Sequence, residues 1–410
     1  MNQERYRWVI MLAASVILAL AMGQIVNGLS VFFLPLETEF GWQRGDISLI
    51  NTAGLFGLAA GGIAIGRVVG RFGIRRICVV GALVLSFCII AASFAGELWQ
   101  FYVLFLIAGA FGGGAFFAPL LALVGNWFTT GSGFALGVVS AGQALGQGVV
   151  PFVAARLIED MGWRSAFMAL GLASITIVVP MAMLLRDPPD TTDGARTNAN
   201  APSPVPLPHW LVVSMLGAAV LGCCILMAIP LVHLVPFMQG CGVPAADAGG
   251  VMFVMLTAGI AGRIFFGRLA DSVGGPFAYM AASAWQTALV FGFTWFDSAD
   301  AFYLYAPLYG FGFAGVMTGV LTTVRAVTPP PGRAATLGVI AAFAFAAHGV
   351  GGYAGGVLFD LTGSYTASFT AAAASGIFNL IVTSLLVLMI HLRGTNPISL
   401  GRPAVVTAPG

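Results

Sequence analysis

The chain has 410 residues, of which 59% are hydrophobic and 8% charged, and a formal net charge of +2. That composition excludes an ordinary soluble globular domain, and near-neutral charge without a basic patch argues against nucleic acid as a partner. Five cysteines (Cys78, Cys88, Cys223, Cys224 and Cys241) sit in or near apolar runs without metal-ligand spacing and read as free thiols.

Arg5 and Arg7 precede a long apolar run with no cleavage site, which reads as a retained first helix rather than a signal peptide. Apolar segments of spanning length fall at Trp8–Leu34, Ile47–Ile65, Ile77–Phe94, Gln100–Val124, Gly133–Leu157 and Ser165–Leu185. A second set falls at Leu211–Met238, Gly249–Leu269, Phe277–Trp295, Phe302–Val324, Ala334–Leu358 and Ser368–His391. The expected fold is therefore an all-α membrane protein of twelve transmembrane helices in two parallel six-helix repeats. Residues 1–186 form one half, 209–410 the other, and 187–208, rich in Pro, Ala, Asp and Thr, a cytoplasmic linker.

Charge sets the orientation. With the N-terminus inside, thirteen arginines face the cytoplasm and three (Arg44, Arg156, Arg164) face out, as the positive-inside rule requires. Both termini are then cytoplasmic, in the plasma (inner) membrane. The halves also repeat at an offset of 201: Gly66-Arg67 matches Gly267-Arg268, Gly41…Asp46 matches Gly242…Asp247, and Leu136-Gly137 matches Leu337-Gly338. Parallel halves that rock about a site at their interface are a transporter plan.

The stretch Val251–Asp271 carries Arg263 inside its apolar run. An isolated cation at that depth costs roughly 3–15 kcal/mol. No Asp or Glu lies in the apolar core of any other span. A mobile anion, the substrate, is the partner this predicts; the alternative is an arginine that snorkels toward the cytoplasm, since Arg268 is only about 7.5 Å further along.

The motifs resemble the major facilitator superfamily. GRVVGRFGIRR (Gly66–Arg76) is similar to its loop between helices 2 and 3, with Gly70 where an acid is usual; the second copy, GRLADSVGG, keeps its acid, Asp271. Within the superfamily the chain resembles the monocarboxylate transporters and the related oxalate/formate group. VFFLPLETEFGWQRGDIS (Val31–Ser48) is similar to their helix 1 exit and GNWFTTGSGFALG (Gly125–Gly137) to their helix 4–5 loop, and Arg263 falls at their helix 8 arginine. The departures are Gly259 in place of an Asp one turn before that arginine, Asn27 in place of a helix 1 Lys, and His348-Gly349 in place of a Lys-Gly in helix 11. One permanent cation plus one titratable group suits a monoanion.

The expected substrate-binding residues are Arg263, His348, Asn27, Gln143, Gln147, Phe116, Phe117 and Tyr309. Arg263 would grip a carboxylate in a bidentate pair. His348 is read either as the proton-coupling group or as a neutral hydrogen-bonded side chain. Asn27, Gln143 and Gln147 either line the cavity or bridge helices, and the aromatics, with Tyr305, either wall it or only pack. His233, between Pro230 and Pro236, reads as a gate or kink element; Pro119, Pro151 and Pro180 would permit bending. Arg67, Arg71, Arg75, Arg268 and Asp271 are expected to gate, latching the halves on the cytoplasmic side. Nothing resembles a nucleotide loop, a metal cluster or a nucleophile–base pair, so no cofactor and no enzyme are expected. The resemblance implies a proton-coupled symporter of lactate- or pyruvate-like acids, or an organic-anion exchanger of the oxalate/formate type. The partners are a small carboxylate, a proton and the lipid bilayer.

Overall fold

The structure, a computed structural model, describes residues 3–128, 132–188, 205–329 and 333–394. Most of the expected linker (residues 189–204) lies outside these. Twelve helical spans are present among the described residues. They are α1 (Arg5–Phe40), α2 (Arg44–Phe72), α3 (Ile74–Ala92), α4 (Leu98–Trp127), α5 (132–161) and α6 (163–183). After the linker come α7 (His209–Gly240), α8 (Ala245–Val273), α9 (Gly275–Val290), α10 (Ala299–Val327), α11 (Arg333–Thr362) and α12 (Tyr365–Leu392). Ten stretches are long and apolar enough to cross a membrane on their own. The other two arise because Gly162 (φ 81°) breaks one stretch into α5 and α6, and because α9 reaches spanning length only with the 3₁₀ turn Phe291–Trp295.

The repeat seen in sequence is also a repeat of geometry. The glycines with positive φ that end helices pair at the same offset of 201: Gly41 with Gly242, Gly73 with Gly274, and Gly162 with Gly363. Helix packing repeats as well. A Cβ on Gly61 would strike the Ala110 carbonyl between α2 and α4, and one on Gly262 the Phe311 carbonyl between α8 and α10. Gly109 on Gly54 and Gly310 on Met255 repeat in the same way. Lipid gives helices no hydrophobic drive to associate, so such backbone-to-backbone approach supplies the dispersion contact that holds them.

Among the described residues three helices carry a π turn: α4 at Ala108–Gly113, α6 at Ser174–Val178, and α1, where the irregular stretch is longest. In α1, a π turn (Gly23–Asn27) runs into a 3₁₀ turn (Gly28–Phe32), which spoils the regular α-helical bonding there. Asn51 of α2 repairs it, its Nδ2 donating to the carbonyls of both Ile25 and Val26 at 2.9 Å.

The two six-helix sets meet along α2 against α11 and α5 against α8. At the end of the bundle away from the termini these pairs touch: Thr52 Oγ1 donates to the Gly349 carbonyl (2.7 Å), and a Cβ on Gly148 would lie 3.3 Å from Phe253. Phe33 of α1 meets His233 of α7 edge to face at 5.5 Å. Toward the end carrying the termini the same helices part. Gly66 of α2, Gly137 of α5 and Gly338 of α11 have no atom within 4 Å of an ideal Cβ beyond their own surroundings. The bundle is closed at the far end and splayed at the termini end.

Candidate functional site

A cavity of about 630 Å³ lies in the splayed part, between α5, α8 and α10. Its walls are mostly apolar, with Ser140 from α5, Arg263 from α8, and Thr318, Thr322 and Arg325 from α10 as the polar lining. Two arginines and no acid face it among the described residues, so its potential favours an anion.

Arg263 is positioned by packing on both sides of α8. Gly259 and Gly262 let α10 approach on one side, through Ala314 and Phe311. That turns the Arg263 side chain toward α5, where Nη1 donates to the Ser140 carbonyl at 2.7 Å. Its Nε is buried without a partner. A carbonyl carries only a partial charge, so the guanidinium is solvated but not neutralised, and the fork needed for a bidentate carboxylate is unfilled. The position related to Arg263 in the other half, Gly62, has open space around it.

His348 lies elsewhere. It is buried on α11 with Nε2 unpartnered, next to Gly349, whose carbonyl bonds Thr52 of α2. It does not line the cavity that Arg263 faces. The sequence pattern grouped the two residues; the structure separates them, because α11 turns its small residues Gly349 and Gly352 toward α2 and α7 and takes His348 with them.

Asn27 sits in the α1 break, Nδ2 donating to the Gln147 carbonyl at 3.3 Å and Oδ1 buried without a partner. Gln143 and Gln147 are half-buried and make no side-chain hydrogen bond. Phe117 reaches across to Phe345 of α11, ring centroids 5.1 Å apart. Phe116 is fully buried inside the first six helices near Gly81, and Tyr309 inside the last six, against Phe293 at 5.2 Å, its hydroxyl unpartnered. Tyr305 is tied to the Leu289 carbonyl. His233 is buried, bonded to the Gly352 carbonyl and Tyr365 hydroxyl.

Of the expected latch, Arg75 bonds within its own half, to the Leu185 carbonyl, and Arg71, Arg268 and Asp271 make no bond among the described residues. The Arg67 side chain is outside the described residues. Among the described residues none of Arg71, Arg75, Arg268 and Asp271 bonds to the opposite half. Sequence reasoning missed Ser140, which acts through its backbone, and Arg325, which reads as a loop residue until α10 is seen to carry it to the cavity wall.

A membrane-embedded bundle of two repeated six-helix sets, closed at one end and splayed at the other around a mostly apolar cavity that holds two arginines, defines a secondary transporter. The model of the Major Facilitator Superfamily matches residues 15–324, and the chain belongs to that superfamily. It is similar to monocarboxylate transporter 13 of Rattus norvegicus, 26% identical over 98% of this chain and 94% of the relative. It is also similar to the uncharacterized MFS-type transporter YcxA of Bacillus subtilis, 23% identical over 89% and 91%. Among solved structures it is similar to a bacterial homologue of the human lysosomal transporter Spinster in an inward-facing, unoccupied conformation. There the TM-score is 0.71 at 15% identity, over 95% of this chain and 98% of that one, a likeness of fold.

Proposed function

We propose that the chain carries small monocarboxylates of the lactate or pyruvate kind, together with a proton, by alternating access. The observation that supports this reading most directly is Arg263: a cation inside a span, facing a cavity with no acid, its fork half filled by a carbonyl. A carboxylate arriving there replaces one partial charge with a full one and satisfies the buried Nε. Gln143, Gln147, Asn27 and Phe117 would line the path between the halves and contact the rest of the ligand. Phe116 and Tyr309 would shape the two halves behind it. His348, off the wall of that cavity, would take the proton, so that charge and proton would be held by different groups. Residues 1–186 and 209–410 would rock as two units, with the termini end cytoplasmic, as the arginine bias implies, and the arginine loops and Asp271 would latch that end once it closes. The likeness to monocarboxylate transporter 13 supports the same substrate class.

Arg325 favours a second reading. A second cation on the cavity wall suits a dianion, and hence exchange of organic anions of the oxalate/formate type. Uptake of labelled lactate, pyruvate and oxalate into proteoliposomes separates the two. Symport predicts monocarboxylate uptake driven by an inward proton gradient and lost at least tenfold in Arg263→Ala. Exchange predicts uptake that ignores the gradient and requires a preloaded internal anion. Transport by Arg263→Ala equal to that of the parent protein would overturn both.

A further inference from the structure

The contacts that close the far end come in symmetry-related pairs. On one side Asp360, at the end of α11, accepts from the backbone N–H of Arg44 at 3.0 Å and of Gly45 at 2.6 Å, the first residues of α2. On the other side Glu159, at the end of α5, accepts from the backbone N–H of Ala246 at 2.7 Å, in the first turn of α8. Glu159 and Asp360 are 201 residues apart, and so are Gly45 and Ala246. The next turn repeats the relation, with Gly356 against Ser48 and Ala155 against Gly249.

Each of these helix starts needs its partner. The residues preceding α2 and α8, Gln43 and Pro244, provide no side-chain cap. The exposed first-turn N–H groups and the positive end of the helix dipole are therefore served from the opposite six-helix set. Neither carboxylate is held by a strong ion pair. Among the described residues Asp360 has none, and Glu159 has only an exposed contact with Arg156 at 3.7 Å. Gly45 is needed for the fit, since a Cβ there would lie 2.7 Å from Asp360 Oδ2. Both carboxylates stand at the exposed rim, where such caps are weak enough to release. On the α2 side Arg44 adds a further contact, its guanidinium bonded to Glu37 at 3.0 Å and lying 4.2 Å over the Phe359 ring of α11.

We propose that Glu159 and Asp360 are a pair of gating carboxylates, each capping a helix of the opposite half, and that release of both caps opens the far end. Any ligand reaching the site from that end must wait for this step. The inference is independent of what is carried.

The test is the distance between spin labels at Gly96 and Ser298, exposed positions in far-end connections of the first and last six helices, on a background with the five native cysteines replaced. It is measured by double electron–electron resonance without ligand. The parent should give one short-distance population. Asp360→Ala, Glu159→Ala and Gly45→Val should each add a longer one, shifting the ratio roughly tenfold, with Asp360→Ala exceeding Glu159→Ala and the double variant largest. Gly45→Val leaves both carboxylates in place and expels Asp360 by bulk alone, so it guards against misfolding of the charge variants. An unchanged distribution in both Gly45→Val and the double variant would overturn the proposal, whatever the proteoliposome experiment finds.

Discussion

Arg263 stood out in the sequence because an unpaired cation in an apolar run has no cheap structural explanation, and the structure gives it a carbonyl in place of a counter-ion. Asn51 did not stand out. Its amide bonds two carbonyls that are free only because α1 departs from the α-helix between Gly23 and Phe32, and that run reads as ordinary apolar helix. Asn51→Ala should destabilise the protein by about 1–3 kcal/mol, the cost of leaving buried carbonyls unpaired. A fall in thermal unfolding temperature in detergent would show it; an unchanged midpoint would mean that the break holds without Asn51. Ser140 was illegible for another reason. It contributes a backbone carbonyl that any residue would supply, and only the packing of α8 shows where an arginine can reach it.

At the scale of the element, most of the fold was legible. Hydropathy and length gave the spans, and glycine spacing gave the repeat. What the pattern did not show was the break in α1 and the facing of α11, because helix phase within an all-apolar run is set by neighbours rather than by amphipathicity. That is why His348 was grouped with Arg263, although it does not line the cavity that Arg263 faces. Close glycine packing makes a prediction here. Gly262→Ala puts a methyl onto the Phe311 carbonyl and should push α8 off α10, at a cost of about 1–3 kcal/mol. Gly61→Ala should do the same between α2 and α4. Both should lower the thermal midpoint, whereas Gly62→Ala, with open space around it, should not.

The whole molecule is a near-twofold object seen in one of its conformations. Gly66 on α2 and Gly338 on α11 stand at the splayed end of two helices that meet at the far end, yet an ideal Cβ on either has no atom within 4 Å beyond its own surroundings. Cysteines at this pair should resist a short cross-linker in the resting protein and join in variants that loosen the far end, as residues 1–186 and 209–410 swing together there. Equal cross-linking in both would mean that the halves do not move as units. The twofold fails at several bonds, and at the site it fails at that from Arg263 to Ser140, since Gly62 has no side chain with which to repeat it. A permanent cation on the site sets the electrical character of the proposed cycle. Loaded with a monoanion and a proton, the site would carry the same single positive charge as the empty one, so membrane voltage would act alike on both crossings and the full cycle would move no net charge. Loaded with a monoanion alone it would cross neutral, and the empty return would be driven or opposed by up to about 2.3 kcal/mol per 100 mV.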